Sequence, residues 1–319
     1  MISLDFELFW GMRDHRTLAA YGANIRGVRE ALPAMLRVFD AHGVKTTWAT
    51  VGLLFFADKG SLLHGIPQEQ PTYVNDTLSP YGTYLNALGT DEAQDPHHFG
   101  LQLIRTLQQH PAHEIGCHTF SHYYCLEPGQ TSAQFRADLR AWKKAASAVG
   151  ATAGSLVFPR NQTNAAYLAI CAEEGIGCYR GDPDGWLYAP RSRQHESPLR
   201  RGLRLLDTWL PLSGHNTHAL PPRTADRPIN IPASRFLRPY HPRLRALEGL
   251  RLRRITTAMD HAAQNGRLFH LWWHPHNFGV ELAANLRMLE RILAHYDTLR
   301  ERYGFRSMTM SELAATAHG

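Results

Sequence analysis

Cysteine is scarce: the 319 residues hold four (Cys117, Cys125, Cys171, Cys178), and none forms a C-x-x-C pair. That excludes a disulfide framework and a zinc ribbon, and it points to reduced, mostly buried thiols. No apolar run approaches the ~20 residues that span a bilayer. The opening Met1-Ile2-Ser3-Leu4-Asp5 has no basic start followed by an apolar stretch. A secretory signal is therefore not expected, and a cytoplasmic location is. There is no zinc-finger spacing and no basic, aromatic-studded RNA signature, so nucleic acid is not an expected partner. No internal repeat or low-complexity tract occurs. Lysine is missing from Leu187 through Arg254, where fourteen Arg stand against four acids. That segment carries about +10, and the net charge of +6 leaves the rest near −4. Arginine without lysine suits forked recognition of phosphate or carboxylate. A solvated basic face is the competing reading.

What is present describes an α/β chain. A hydrophobic share of 44% is ample for a core. Ile2–Phe6 reads as a strand. Val28, Ala31, Leu32, Met35, Leu36 and Phe39 follow at helical spacing, with Pro33 predicting a kink or a fresh helix start. Lys45–Val51 is rich in β-branched residues and reads as the second strand. Residues 57–98 form a long, proline-punctuated insertion, more often a lid or binding loop than a connector. Helix Phe99–Gln109, strand Glu114–His118, helix Ser132–Val149, strand Gly154–Phe158, helix Asn164–Glu174 and strand Ile176–Arg180 follow. The basic segment, an insertion at about 187–245, is expected to wrap the surface and shape a pocket mouth. Helix Arg254–Asn265, strand Leu268–His274, helix Glu281–Tyr303, strand Phe305–Met310 and a final helix capped by Ser311 complete the chain. Seven or eight strands alternating with helices predict a distorted (β/α) barrel in a single domain, with chemistry at the C-terminal strand ends. An open doubly wound sheet is the alternative, weakened because no Gly-rich nucleotide loop follows the first strand.

Five clusters sit at strand ends. Asp5 and Glu7, two apart, would share one side of a strand, where a cation relieves their repulsion. His118 and His122, four apart, would meet on one face of a helical turn and grip an ion. Arg160, in Phe158-Pro159-Arg160-Asn161, would orient a carboxylate. Asp182-Pro183-Asp184-Gly185-Trp186 has the composition of a tight turn. Trp272-Trp273-His274-Pro275-His276 ends an apolar strand with a candidate acid. Singly each has a bland explanation; together base, ligands, orienting residue and acid complement one another.

This ordered set resembles the polysaccharide deacetylase family, also called NodB-homology or carbohydrate esterase family 4. The family has a distorted β/α barrel, and counterparts of its five motifs run here from residue 3 to residue 276. The resemblance implies Asp5 as base and Glu7, His118 and His122 as ligands of one divalent ion, most simply zinc. It implies Arg160 as orienting residue, Asp184 as partner of the acid His274, and Trp186 beside it. Trp273, Trp186, Asn161 and His276 would contact substrate, and a backbone N–H near Asn161 would hold an oxyanion. The implied activity is removal of an acetyl or formyl group from an amino-sugar nitrogen. The arginines suggest a nucleotide- or lipid-phosphate-linked substrate, and a lipid carrier would imply peripheral membrane contact. Lipid-linked aminoarabinose deformylases share the spaced acids. Two rival readings are an inactive carbohydrate-binding relative and a scaffold acting through the Arg-rich segment.

Overall fold

The computed structural model describes residues 1–183, 187–188, 197–219 and 227–317. Eight strands, parallel in every pairing, form one sheet: β1 (Ile2–Phe6), β2 (Thr46–Thr50), β3 (Glu114–Cys117), β4 (Ser155–Val157), β5 (Cys178–Arg180), β6 (Ile229–Asn230), β7 (Arg235–Phe236) and β8 (Leu271–Trp273). The order is β6-β5-β4-β3-β2-β1-β8-β7. The two end strands are joined by only Ile231–Ser234, so the sheet must curl round. Consecutive residues complete the circuit: Ala233 N donates to Gly181 O beside β5, and Ser234 N to His270 O beside β8, each at 2.8 Å. One bent segment thus serves both edges of a distorted barrel.

The barrel sorts its strands by period two. On β1, Leu4 and Phe6 join the apolar layer beneath the helices, while Ser3 and Asp5 point inward. Arg180 on β5 reaches both of them, although three strands lie between β5 and β1 in the sheet. The interior is therefore polar and internally bonded. The core lies between the sheet and helices including Val28–Ala41, Leu101–Gln108, Ser132–Ala148, Glu248–Gln264 and Leu282–Tyr303. All four cysteines are buried and unpaired. No helix of the described residues is long and apolar enough to cross a membrane.

Several expectations need correction. Helix Val28–Ala41 runs unbroken through Pro33. Its buried stripe of Ala31, Leu32, Met35, Leu36 and Phe39 offsets a proline penalty of about 3 kcal/mol. Phe305–Met310 is not a strand, because both sheet edges are already engaged by the 231–236 segment. The residue capping the final helix is Thr309, in a reciprocal box with Glu312, and not Ser311. The basic segment is less superficial than expected: it supplies β6, β7 and helix Pro198–Leu206.

Candidate metal centre and active site

The loops after β1, β3 and β4 carry an unusual backbone. Leu8, Thr119, His122, Arg160 and Asn161 all adopt positive φ, a conformation that non-glycine residues seldom take. Such geometry persists where surroundings over-determine it. Here the determinant of one loop is Asp138, buried on helix Ser132–Ala148. Its carboxylate accepts from Phe120 N at 2.6 Å, Ser121 N at 3.1 Å and the Ser121 hydroxyl. The two histidines therefore converge through a left-handed loop and not through the helical turn their spacing suggested. Burial pushes the Asp138 carboxyl up to about 6, against the lowering effect of those donors.

Glu7, His118 and His122 are brought together, fully buried, with one donor atom of each within 4.8 Å of the others. Glu7 Oε2 lies 3.4 Å from His118 Nε2 and 3.0 Å from His122 Nε2. His118 Nδ1 lies 2.8 Å from the carbonyl of Val157, so it carries the proton and leaves the lone pair on Nε2. That lone pair has no aligned donor and faces a carboxylate oxygen. Two electron-rich atoms in a buried pocket call for a cation between them. Burial holds His122 down to about 4, partly opposed by Glu7, so its ring is neutral and fit to ligate. Burial alone would raise the Glu7 carboxyl, but its other surroundings, His274 first among them, outweigh it and hold it well below the carboxylate range. Gly11 makes room: a Cβ there would lie 2.2 Å from the Glu7 carboxyl carbon. Both the donor set and the cradle fit a divalent ion of the zinc type.

Glu7 with His274 and His276 forms a second group of possible ligands; a third, Asp40, His110 and His113, differs in tautomer. His113 Nδ1 accepts from Thr46 N at 3.2 Å, which puts its proton on Nε2, facing Asp40. That nitrogen has no lone pair to offer.

Asp5 is gripped by Arg180, not Arg160. Arg180 donates Nη1 to Oδ1 at 2.6 Å and Nη2 to Oδ2 at 2.8 Å. It also bonds Ser3 and Asn161 and stacks over Trp272 at 4.1 Å. Burial opposes ionisation of Asp5, yet Arg180, with His118 and His274, holds its carboxyl below the ordinary value. Arg160 instead pairs with Asp14 and lies over the Tyr124 ring. A charged residue ending a buried strand must find a partner, and Cys178-Tyr179-Arg180 carries that signal. His274 Nε2 faces both acids, 3.8 Å from Asp5 and 3.7 Å from Glu7.

A cavity of about 320 Å³ opens beside His274, with Asn161, Trp272 and Phe236 on its wall. Trp273 and His276 do not line it. Trp273 points outward to Phe39 and Phe278, as period two dictates once Trp272 faces in. His276 is buried behind His274, their rings stacked at 4.8 Å, and burial holds it down to about 3. The Asn161 N–H is spent on Phe158 O at 2.9 Å and is not available to an oxyanion. Asp184 and Trp186 lie outside the described residues.

Comparison with known proteins agrees with the geometry. The family model described as polysaccharide deacetylase matches residues 24–178. Among curated proteins nothing matches. A protein described as a polysaccharide deacetylase from Mycobacterium smegmatis superposes with a TM-score of 0.61 at 13% identity, over 99% of this chain and 90% of that one. Another so described, from Pseudomonas aeruginosa PAO1, gives 0.52 at 14%, over 93% and 84%. Puue allantoinase gives 0.55 at 11%, over 98% and 88%. These likenesses show a shared fold, which does not by itself choose a substrate. The polysaccharide deacetylase model thus matches just under half of the chain, and the solved structures agree with it in fold.

Proposed function

We propose that the chain is a metal-dependent hydrolase that removes an N-acyl group, acetyl or formyl, from an amino sugar bearing a phosphate or other anionic group. The observation that carries the reading is the convergence of His118 Nε2 and His122 Nε2 on Glu7 Oε2, at 3.4 and 3.0 Å, with His118 Nδ1 engaged by the Val157 carbonyl. These three side chains would hold one ion, most simply zinc. When bound, a divalent ion acidifies water and polarises a carbonyl.

The remaining work falls to the chain's own groups. Asp5, kept ionised by Arg180, accepts the proton of the water that adds to the acyl carbon. His274 stands at the cavity and delivers a proton to the amine nitrogen as the C–N bond breaks. Trp272 offers an aromatic face to the sugar. Asp184, if it partners the acid, would set the charge of His274. The anionic group is read as a nucleotide- or lipid-borne phosphate. The cytoplasm, where buried thiols such as Cys117 stay reduced, is the proposed location.

Acetate and formate release from nucleotide-linked and lipid-linked N-acyl amino sugars tests the reading. His122→Ala is expected to lose zinc and turnover together, whereas Asp5→Asn keeps zinc and loses turnover. Full turnover by a zinc-free His122→Ala protein would overturn it.

A further inference from the structure

Ligand histidines normally donate their second ring N–H to a carboxylate, a carbonyl or water, which fixes the plane of the ring. His118 follows that rule through the Val157 carbonyl, 2.8 Å from Nδ1. His122 does not. Among the described residues, its Nδ1 is buried and has no hydrogen-bond partner. Its ring is nonetheless buried, with Nε2 3.0 Å from Glu7 Oε2. Something other than an oxygen acceptor sets its orientation.

An aromatic ring occupies that place. The centroids of Tyr124 and His122 lie 5.1 Å apart, and the rings meet at 88°. In this arrangement the positive edge of one ring meets the negative face of the other. An aromatic face can receive a ring N–H where no oxygen is near. The Tyr124 hydroxyl adds nothing, being buried without a hydrogen-bond partner among the described residues. The ring itself is clamped, because the Arg160 guanidinium lies over it at 4.1 Å and is held by Asp14.

The backbone of Tyr124 is fixed from far away in sequence. Its N–H donates to the Tyr73 hydroxyl at 2.8 Å, in a buried contact. The two tyrosine rings pack with centroids 6.0 Å apart. Tyr73 is seated by its own neighbours. Val74 N donates to Pro128 O at 2.9 Å, and the Thr72 hydroxyl donates to Gly129 O at 2.8 Å. Gly129 permits that approach: it stands at φ 97°, and a Cβ there would lie 2.5 Å from Thr72 O.

Tyr73 belongs to the 57–98 insertion, whose length and prolines suggested a lid. Among the described residues, none of 57–98 lines the cavity beside His274. The insertion instead bonds the loop that carries Glu7. Arg13 donates to the carbonyls of Thr77, Leu78 and Ser79. Phe9 N donates to His97 O at 3.1 Å, and Trp10 Nε1 to His98 O at 2.8 Å. The loops of Glu7 and His122 are thus both tied to one insertion.

We propose that Tyr124 and Tyr73 are positioning residues for His122. The Tyr124 ring orients the imidazole in place of a hydrogen-bond acceptor, and Tyr73 holds Tyr124. The 57–98 insertion is then a brace for the ion site and not a cover for the cavity. This rests on the reading of Glu7, His118 and His122 as metal ligands.

Zinc affinity, measured by competition with a chromophoric chelator, tests this together with the visible spectrum of the cobalt-loaded protein. Tyr124→Leu is expected to weaken zinc binding about 10–100-fold and to shift the cobalt bands. Tyr124→Phe, which keeps the ring, should match wild type in both. Tyr73→Phe strands the Tyr124 N–H and should move both readouts in the direction of Tyr124→Leu, with circular dichroism staying native. A role in folding alone would lower the melting temperature and leave the cobalt bands in place. Unchanged affinity and bands in Tyr73→Phe, or a Tyr124→Phe protein as impaired as Tyr124→Leu, overturns the proposal. That pair decides the matter even where Tyr124→Leu fails to fold. Wild-type zinc binding with indifferent variants overturns this inference alone. A wild type that binds no zinc overturns the metal reading and this inference with it.

Discussion

Both carboxylate oxygens of Asp5 meet both terminal nitrogens of Arg180, at 2.6 and 2.8 Å, across a barrel interior sealed from water. A two-point ion pair of this kind fixes the plane of the carboxylate as well as its charge. Removing one partner strands the other. Arg180→Gln is expected to cost about 3–5 kcal/mol in a denaturant melt. Because Arg180 holds the Asp5 carboxyl below its ordinary value, its loss lets that carboxyl rise. The acidic limb of the kcat/KM profile should then move to higher pH. An unmoved limb would remove Asp5 as the base.

The cradle under Glu7 makes a second expectation. A Cβ on Gly11 would sit 2.2–2.4 Å from the three atoms of the Glu7 carboxyl group. Gly11→Ala should displace that side chain, and metal analysis should find zinc lost from a protein that still folds. Retained stoichiometric zinc would show that Glu7 is dispensable as a ligand.

Asp138 ties the histidine loop to its helix. Asp138→Ala leaves two buried amides unsatisfied, at about 1–3 kcal/mol each, and should weaken zinc binding about 10–100-fold. The pH sign is specific. The folded-state value of about 6 lies above the ordinary 3.8, so the folded protein holds this proton more tightly. The stability this group contributes is complete below pH 3.8 and lost as pH rises through 6. Melts of wild type and Asp138→Asn across that window should differ in slope; parallel curves would contradict the assignment.

The adjacent tryptophans of β8 should behave oppositely. Trp273 is fully buried, stacked with Phe278, so Trp273→Ala should cost about 3–5 kcal/mol of stability. Trp272 lines the cavity, and Trp272→Ala should raise KM with a smaller loss in the melt. Equal losses of stability, with KM unchanged, would place Trp272 in a purely structural role.

One ion per chain is expected. His110→Ala should leave zinc stoichiometry untouched, because His113 carries its proton on the nitrogen facing Asp40. A drop from two ions to one in that variant would reverse this.

Local chemistry made much of this legible in advance. Ile2–Phe6 and Thr46–Thr50 announce themselves as strands through apolar and β-branched runs. Glu7, His118, His122 and His274 stand at strand ends, where a β/α barrel gathers its chemistry. What the chain order alone determined was therefore the alternation of elements, the positions of the candidate ligands, and the concentration of arginine between Leu187 and Arg254. Tertiary structure decided the partnerships. Arg160 and Arg180 both follow or end strands, and only the curl of the sheet brings the second, 175 residues away, onto Asp5. Which of Trp272 and Trp273 faces the cavity depended on the register of β8 against β1, since a shift of one residue exchanges the two faces. Closure through Ala233 and Ser234 left the Phe305–Met310 stretch no edge to join. Periodicity reports a residue's immediate neighbours along the chain. Contacts across a barrel depend on strand order and curvature, which no short window of sequence contains.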